Sequence, residues 1–402
     1  MNKTAASTLF DSVEDAVAPW TRTERLNDDE RSLVGLALAL GARDVDGWSE
    51  AESKLAEQAK KVAPGEVRRI TRQISAGNDP LGKLFCDLYT PAHRRPRGAT
   101  YTPPGIVKAM LTWAENHAKP ARVVDPGAGS GLFTVAAGRR FDHADLVAVE
   151  LDPLPALLAR AHLAAAGFAS RSSVLVSDYR DVPIEPIEGR TLYIGNPPYV
   201  RHHEIDAVWK QWLTREAKKR KLNASQLAGL HAHFFLATLL KASPQDYGSF
   251  ITAAEWLDVN YGQLIRDLFV GPLGGRCLVV IEPTVRPFPD AATTAVVSQF
   301  EVGSRSKSIY LRRVESLADL KSRKAARSVR RERFETERRW SHLTRRSRKE
   351  PADYIELGEL CRVHRGAVTG ANKFWIEGDH CTGLPDEVFF PSVTKARDLF
   401  QA

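Results

Sequence analysis

The sequence predicts an α/β domain built around a largely parallel sheet. From residue 122 onward, short apolar runs alternate with longer amphipathic segments, which is the pattern of alternating strands and helices. A glycine-rich turn follows the first run, and polar residues follow the next three runs where strands would end. With 402 residues, of which 43% are hydrophobic, the chain is long enough for two or three cores.

The elements are predicted in chain order from the period of their apolar residues. Residues 1–95 are predicted to be helical, because 32–42 and 49–62 place apolar residues at helical spacing. The predicted strands are residues 121–125, 146–152, 172–178, 191–196, 247–256 and 276–282, with 294–300 and 308–314 as closing strands. Residues 354–402 alternate apolar and polar positions weakly and predict the start of a β-rich segment.

Charge is concentrated in one part of the chain. The formal net charge is +8, and residues 321–350 alone hold thirteen Lys or Arg against four Glu. A second basic run spans residues 210–221. Such runs are typical of surfaces that contact nucleic-acid phosphates, although a solvated helix face or a basic linker has the same composition.

Composition excludes several classes of protein. The N-terminal residues include Asp and Glu where a signal peptide would be apolar, and no apolar run reaches the roughly 18 residues that span a bilayer. Four cysteines without a CxxC pair do not form a disulfide scaffold and favour no zinc site. We therefore expect a soluble, cytoplasmic protein without a bound metal or a membrane partner.

Polar residues follow the first three strands of the predicted sheet. Gly127 and Gly129 lie in a glycine-rich turn after the first strand, where backbone can approach a ligand closely. Glu150 ends the second strand about 20 residues later, a position suited to ribose hydroxyls. Asp178 ends the third strand and could accept hydrogen bonds from an exocyclic amine. A simple tight turn and a helix-capping aspartate remain the alternatives for these residues.

The fourth strand ends in the tetrapeptide Asn196, Pro197, Pro198 and Tyr199. Two prolines remove backbone donors and leave carbonyl acceptors, while Asn196 adds a side-chain oxygen and Tyr199 a flat aromatic face. Two acceptors can bind both hydrogens of a planar amino group and draw its lone pair out of conjugation. The tetrapeptide therefore predicts a site that activates an amino nitrogen as a nucleophile.

On these motifs the chain resembles the gamma-type N6-adenine DNA methyltransferases of restriction–modification systems, over roughly residues 80–375. The resemblance adds residues 98–105, whose Thr-Pro-Pro precedes the first strand, and residues 125–131 as the cofactor loop. It implies a Rossmann-like class I sheet, S-adenosylmethionine as cofactor and double-stranded DNA as partner. It also assigns Asn196 and the three residues after it to catalysis. Its cofactor candidates are Tyr101, Thr102, Pro103, Asp125, Gly127, Gly129, Glu150 and Asp178, and its candidate for stacking on a flipped base is Phe288.

The residue patterns and the resemblance together predict a domain order. We expect an N-terminal helical region at 1–95, a catalytic domain at 96–315, a basic connector at 316–352 and the start of a target-recognition domain at 353–402. This last part is shorter than the family's recognition domain, so we expect either that the chain is a fragment, that the domain is truncated, or that a partner subunit supplies sequence recognition.

Other functions with the same motifs stay open at this point. The acceptor could be N4 of cytosine, an RNA base or a protein glutamine, since the chemistry requires only a planar amino nitrogen. A DNA-binding subunit without transfer activity is the alternative from outside the enzymes.

Overall fold

The computed structural model describes residues 25–89, 102–285, 294–316, 319–320 and 326–344, with a few isolated residues nearer the C-terminus. The chain divides into a compact unit up to Arg346 and a second unit, Ser347–Ala402. The sheet and the helices that pack on it belong to the first unit. Among its described helices, none combines the length and the apolar character needed to cross a membrane.

The described residues form one nine-stranded sheet. Its strands are β1 Arg122–Pro126, β2 Asp145–Glu150, β3 Ser172–Val176, β4 Thr191–Gly195, β5 Tyr247–Ala253, β6 Gly275–Ile281, β7 Ala295–Glu301, β8 Ser308–Val314 and β9 Arg327–Arg330. Their order across the sheet is β3-β2-β1-β4-β5-β7-β6-β8-β9. The eight strands predicted from apolar periodicity are all present, and the α/β prediction is confirmed.

The first five strands place the polar motifs at one edge of the sheet. Neighbours within the order β3-β2-β1-β4-β5 are all parallel, whereas β7 is antiparallel to both β5 and β6. Because parallel strands end at the same edge, Pro126, Glu150, Val176 and Gly195 terminate side by side. Ligands of open α/β sheets bind at this carboxyl edge.

Helices cover the sheet and also form the N-terminal region. They are α1 Asp28–Ala39, α2 Glu50–Ala56, α3 Pro64–Ser75, α4 Pro80–Leu88, α5 Pro104–His117, α6 Leu132–Gly138, α7 Pro153–Ala165, α8 Ala207–Lys219, α9 Leu230–Lys241, α10 Gln263–Val270, α11 Arg331–Thr336 and α12 Ser341–Thr344. One core cluster contains buried residues of α9 and α10, and another contains buried residues of α5 and α6.

The N-terminal helices pack on α7 of the sheet domain. Helices α1 and α2 begin at capping boxes formed by Asn27 and Ser49, which satisfy backbone donors of their first turns. The apolar residues of α1–α4 share a buried cluster with Leu154, Leu157 and Leu158 of α7. The N-terminal region therefore shares its core with the sheet domain.

A buried ion pair reinforces this contact. Arg160 of α7 pairs with Glu52 of α2 at 2.5 Å, and both side chains are fully buried. Arg160 also donates to the carbonyls of Val45 and Asp46 at 2.8 and 2.7 Å. A buried charge is tolerated only when it is paired and hydrogen-bonded, as it is here.

The described part of the basic connector belongs to the sheet. Strand β9 pairs antiparallel with β8, and the buried Phe334 and Trp340 pack into the core around Trp256. The guanidinium of Arg331 is turned inward and donates to the carbonyls of Ser306 and Val270. The described part of this segment therefore differs from the linker or exposed helix that was expected. It packs on the sheet because apolar residues are interspersed among its arginines.

Candidate active site

A cavity of about 210 Å³ opens at the carboxyl edge of β1–β4. Its lining comes from the sheet edge, from α4 of the N-terminal region and from the segment that follows β4. The predicted site residues that line it are Thr102, Gly127, Gly129, Glu150, Asp178, Asn196 and Pro198. The motifs that were predicted from separate strand ends thus meet around one cavity.

The glycine loop between β1 and α6 requires residues without a side chain. Gly127, Gly129 and Gly131 all have positive φ, at 71°, 55° and 81°. A Cβ on Gly131 would lie 3.1 Å from Ala159 of α7, whereas a Cβ on Gly129 would enter open space. The loop is therefore closely packed on one side and leaves its backbone accessible on the cavity side, which fits a nucleoside-bearing cofactor.

Asp125 supports this loop from behind. Its side chain is fully buried, and Oδ2 accepts hydrogen bonds from the backbone N–H and the hydroxyl of Thr134 at 3.0 and 2.7 Å. Burial raises the pKa of Asp125 to about 7. Asp125 is not among the described residues that line the cavity. In this structure it positions the start of α6 and the loop before it.

Glu150 fastens the glycine loop to the end of β2. Its Oε2 accepts from the backbone N–H of Gly129 at 2.8 Å, and Oε1 accepts from the N–H groups of Leu151 and Asp152 at 2.9 and 3.0 Å. Burial raises the pKa of Glu150, although these backbone hydrogen bonds favour its ionised form. The carboxylate is thereby fixed in orientation at the cavity wall.

Asp178 forms an ion pair with Arg180 that no sequence motif predicts. Its Oδ1 accepts from both the backbone N–H and Nε of Arg180 at 2.9 Å, and Oδ2 accepts from Nη2 at 2.5 Å. Both side chains are more than nine-tenths buried, and both residues line the cavity. Arg180 follows Asp178 by two residues, a spacing that carries no recognisable sequence signal.

The Asn-Pro-Pro-Tyr segment lies against the glycine loop. Asn196 Nδ2 donates to the hydroxyl of Thr102 at 3.0 Å. This hydrogen bond fixes the orientation of the amide, whose Oδ1 is a hydrogen-bond acceptor. A Cβ added to Gly127 would lie 3.3 Å from the ring of Pro198. The Asn-Pro-Pro-Tyr segment and the glycine loop therefore lie side by side, with little room for a side chain at Gly127.

The remaining predicted residues lie elsewhere. Tyr199 is held by a hydrogen bond from its hydroxyl to the carbonyl of Ile251 at 3.1 Å, and burial raises its pKa well above the usual range. Neither Tyr199 nor Pro197 lines the cavity, and Pro103 caps the N-terminus of α5. Tyr101 and Phe288 lie outside the described residues.

Helix α4 contributes a wall of the cavity that was not predicted from the sequence. Asp79, Gly82, Phe85 and Cys86 line the cavity. Asp79 caps α4 by accepting from the N–H of Gly82 at 2.7 Å, and it also accepts from the hydroxyl of Ser130 in the glycine loop at 3.2 Å. The Asp-Pro pair at residues 79–80 is a recognisable signal for the start of a helix. No sequence pattern predicts the contact of Asp79 with a loop about 50 residues away.

The fold and this site define a class I S-adenosylmethionine-dependent methyltransferase. A solved structure of that class from Listeria monocytogenes matches with a TM-score of 0.51 at 13% identity, covering 79% of this chain and 94% of that one. The type IIG restriction endonuclease BpuSI matches with a TM-score of 0.56 at 16% identity, covering 84% of this chain and 47% of BpuSI. At these identities the likeness concerns the fold.

Sequence relatives identify the family to which the chain belongs within this class. The family described as Eco57I restriction-modification methylase matches residues 191–271. The type II methyltransferase M.XamI of Xanthomonas campestris pv. amaranthicola is 49% identical over 376 residues, which are 93% of this chain and 71% of M.XamI. The chain therefore belongs to the type II methyltransferases, the DNA methyltransferases of restriction–modification systems, and its cofactor is S-adenosylmethionine.

Proposed function

We propose that this protein methylates N6 of an adenine that has left the stack of double-stranded DNA. The observation that supports this proposal is the proximity of the Asn-Pro-Pro-Tyr segment to the glycine loop. Asn196 donates to the hydroxyl of Thr102, and a Cβ added to Gly127 would lie 3.3 Å from the ring of Pro198, so the Asn-Pro-Pro-Tyr segment lies beside the glycine loop. Adenine presents the planar amino group that such a segment can bind.

The acceptors act on the amino group of the base. Oδ1 of Asn196 and the carbonyl of Pro197 each accept one N–H hydrogen, so that the nitrogen lone pair turns away from the ring. When bound, the cofactor supplies a methyl group activated by a sulfonium. The chain's contribution is alignment and electrostatic activation, which needs neither a metal nor a covalent nucleophile.

The glycine loop and two carboxylates would hold the cofactor. Gly127 and Gly129 present backbone to the ligand, Glu150 would accept from ribose hydroxyls, and Asp178 would accept from the adenine amino group. Thr102 lines the same cavity and contacts Asn196, so it joins the cofactor wall to the acceptor segment. Asp125 would act through the loop that it supports.

A base inside duplex DNA must be extruded before it reaches these acceptors. The ring of Tyr199, anchored through its hydroxyl to Ile251, would stack on one face of the base. Phe288 is the candidate for the opposite face. Phosphate contacts would come from the exposed cations at the end of α8 and from exposed arginines around β9 and α11, and would offset part of the few kcal/mol that flipping costs.

Transfer of labelled methyl groups tests this function. The protein is incubated with methyl-labelled S-adenosylmethionine and mixed duplex DNA, and the DNA is digested and its nucleosides identified by mass spectrometry. We expect the label on N6-methyladenine and its loss in Asn196→Ala, while binding of the cofactor persists. Label on N4-methylcytosine, RNA or protein would contradict the proposal and support a different amino acceptor.

We also propose that sequence recognition lies outside the described residues. The catalytic domain is assigned to 96–315 and the recognition segment to 353–402, with double-stranded DNA as partner and a further subunit as a possible source of specificity. Methylation of every duplex irrespective of sequence would argue that this chain alone lacks such specificity. Methylation confined to one short sequence would show that no partner is required.

A further inference from the structure

Arg180 is hydrogen-bonded to Asp178, the proposed acceptor of the amino group of the cofactor's adenine. It donates three hydrogen bonds to Asp178, one from its backbone and two from its guanidinium. Two of them reach Oδ1 and one reaches Oδ2. Since each carboxylate oxygen has about two acceptor positions, the remaining capacity of Asp178 is concentrated on Oδ2.

The guanidinium itself is fixed from two further directions. Its Cζ lies 3.5 Å from the ring centroid of Trp209 on α8, within the range of a cation–π contact. Its Nη1 lies 3.4 Å from Nδ1 of the fully buried His233 on α9. Burial, and then the charge of Arg180, lower the pKa of His233 well below its usual range, so the imidazole is neutral and can accept.

This arrangement has a consequence for Asp178. A lone carboxylate after a strand rotates among several orientations, but a fork-shaped donor held on an indole ring defines one. We propose that Arg180 is a positioning residue that holds Asp178 in the orientation that accepts the exocyclic amino group of the cofactor's adenine. Arg180 thereby determines the preference for an adenine-bearing cofactor. This inference rests on the proposed role of Asp178.

Ligand selectivity distinguishes positioning from a merely structural role. Dissociation constants are measured by calorimetry for S-adenosylhomocysteine and for its analogue in which the purine lacks the amino group. A hydrogen bond to a charged group predicts about 10-fold or greater preference of the unaltered protein for the first ligand. Arg180→Met should bring this ratio near one by weakening adenine binding, with little change for the analogue. Arg180→Lys should give an intermediate ratio, because lysine cannot form the fork.

A matched control separates selectivity from loss of stability. Arg171 also stacks on an aromatic ring, 4.8 Å from the centroid of Phe168, and donates to the carbonyl of Phe141 at 3.0 Å, but it does not line the cavity. Arg171→Met should lower the midpoint of thermal unfolding and leave the ratio unchanged.

Two results would overturn the inference. If Arg180→Met weakens both ligands equally, Arg180 only supports the fold. If Asp178→Ala leaves the ratio unchanged, Asp178 is not the adenine acceptor and Arg180 has nothing to position. Neither result bears on the proposed reaction, since the labelled product identifies the acceptor atom independently.

Discussion

Thr102 connects the cavity wall to Asn196, the proposed acceptor of the base amino group, through one hydrogen bond. It is buried, and its hydroxyl accepts from Nδ2 of Asn196 at 3.0 Å. Thr102→Val keeps the volume and removes this acceptor, so the amide of Asn196 can rotate and present the wrong end. We expect kcat to fall about 10-fold or more, with a smaller change in cofactor affinity, measured by single-turnover methylation and by calorimetry.

A second buried threonine provides the comparison. Thr252 is fully buried and its hydroxyl accepts from the indole N–H of Trp256 at 3.0 Å, away from the cavity. Thr252→Val should lower stability and leave kcat near that of the unaltered protein. Equal effects of the two substitutions on kcat would contradict the role of Thr102.

The raised pKa of Asp125 predicts how the stability of the protein depends on pH. Burial raises its pKa from 3.8 to about 7 in the folded chain. Between roughly pH 4 and 7 the folded state thus keeps a proton that the unfolded state has lost, and the free energy of unfolding falls as pH rises. Asp125→Asn removes this contribution. The stability of the unaltered protein relative to Asp125→Asn should fall by on the order of a few kcal/mol across this window.

Urea unfolding of both proteins at several pH values measures this difference. Taking the difference cancels the other titrating groups, provided that both proteins unfold in two states. A difference independent of pH would mean that Asp125 stays ionised in the folded chain.

The contact between α4 and the glycine loop depends on a glycine. A Cβ on Gly82 would collide with the carboxylate of Asp79 and lie 2.6 Å from the hydroxyl of Ser130. Gly82→Ala should displace these two side-chain ends and break the hydrogen bond from Ser130 to Asp79, lower stability by about 1 kcal/mol or less and raise the dissociation constant for the cofactor. Thermal unfolding and calorimetry measure the two effects.

Gly65 in α3 is the matched position. A Cβ there would have no neighbour within 4 Å, and the residue is exposed. Gly65→Ala should be neutral or slightly stabilising, because alanine restricts the unfolded chain. Should Gly82→Ala bind the cofactor as well as Gly65→Ala does, α4 would be no part of the cofactor wall.

The end of α8 carries a cluster of exposed cations that we propose to contact DNA phosphates. Lys218, Lys219, Arg220 and Lys221 are exposed, although Lys219 and Arg220 also pair with Glu216. Replacing all four by Gln should weaken DNA binding and reduce the log–log salt slope by up to about 3–4. Fluorescence anisotropy at several salt concentrations gives both values.

The N-terminal region offers the same number of exposed cations for comparison. Lys54, Lys60, Lys61 and Arg68 replaced by Gln lower the net charge equally. If both sets reduce the slope alike, binding reflects total charge, and α8 forms no specific surface.

The prediction of elements succeeded where local sequence determines the outcome. The strands before Gly127, Glu150, Asp178 and Asn196 were visible because apolar runs end in residues of distinct chemistry. The short edge strand β9 was missed, because its arginines obscured the few apolar residues that pack inward. The wall formed by α4 and the pair of Asp178 with Arg180 were also missed, since both depend on tertiary packing that has no sequence period.

Across the whole described unit, the cavity joins parts of the chain that are distant in sequence. Its lining includes Phe85 from α4, the glycine loop, the ends of β2 and β3, and Trp209 from α8. Because α1–α4 also share a buried cluster with α7, the N-terminal helices and the sheet domain have a common core. A ligand in this cavity therefore contacts both the N-terminal region and the helix that bears the basic end.

Hydrogen exchange tests this connection at the scale of the molecule. A ligand that binds only the folded state suppresses the opening of every element it contacts. Saturating S-adenosylhomocysteine should slow amide exchange in α4 and α8 as well as in the glycine loop, measured by mass spectrometry of peptides. Helix α3, which does not line the cavity, provides the internal reference for local protection. Protection confined to the glycine loop would show that the bound ligand does not stabilise α4 or α8. Cofactor binding would then not be coupled to the exposed cations at the end of α8.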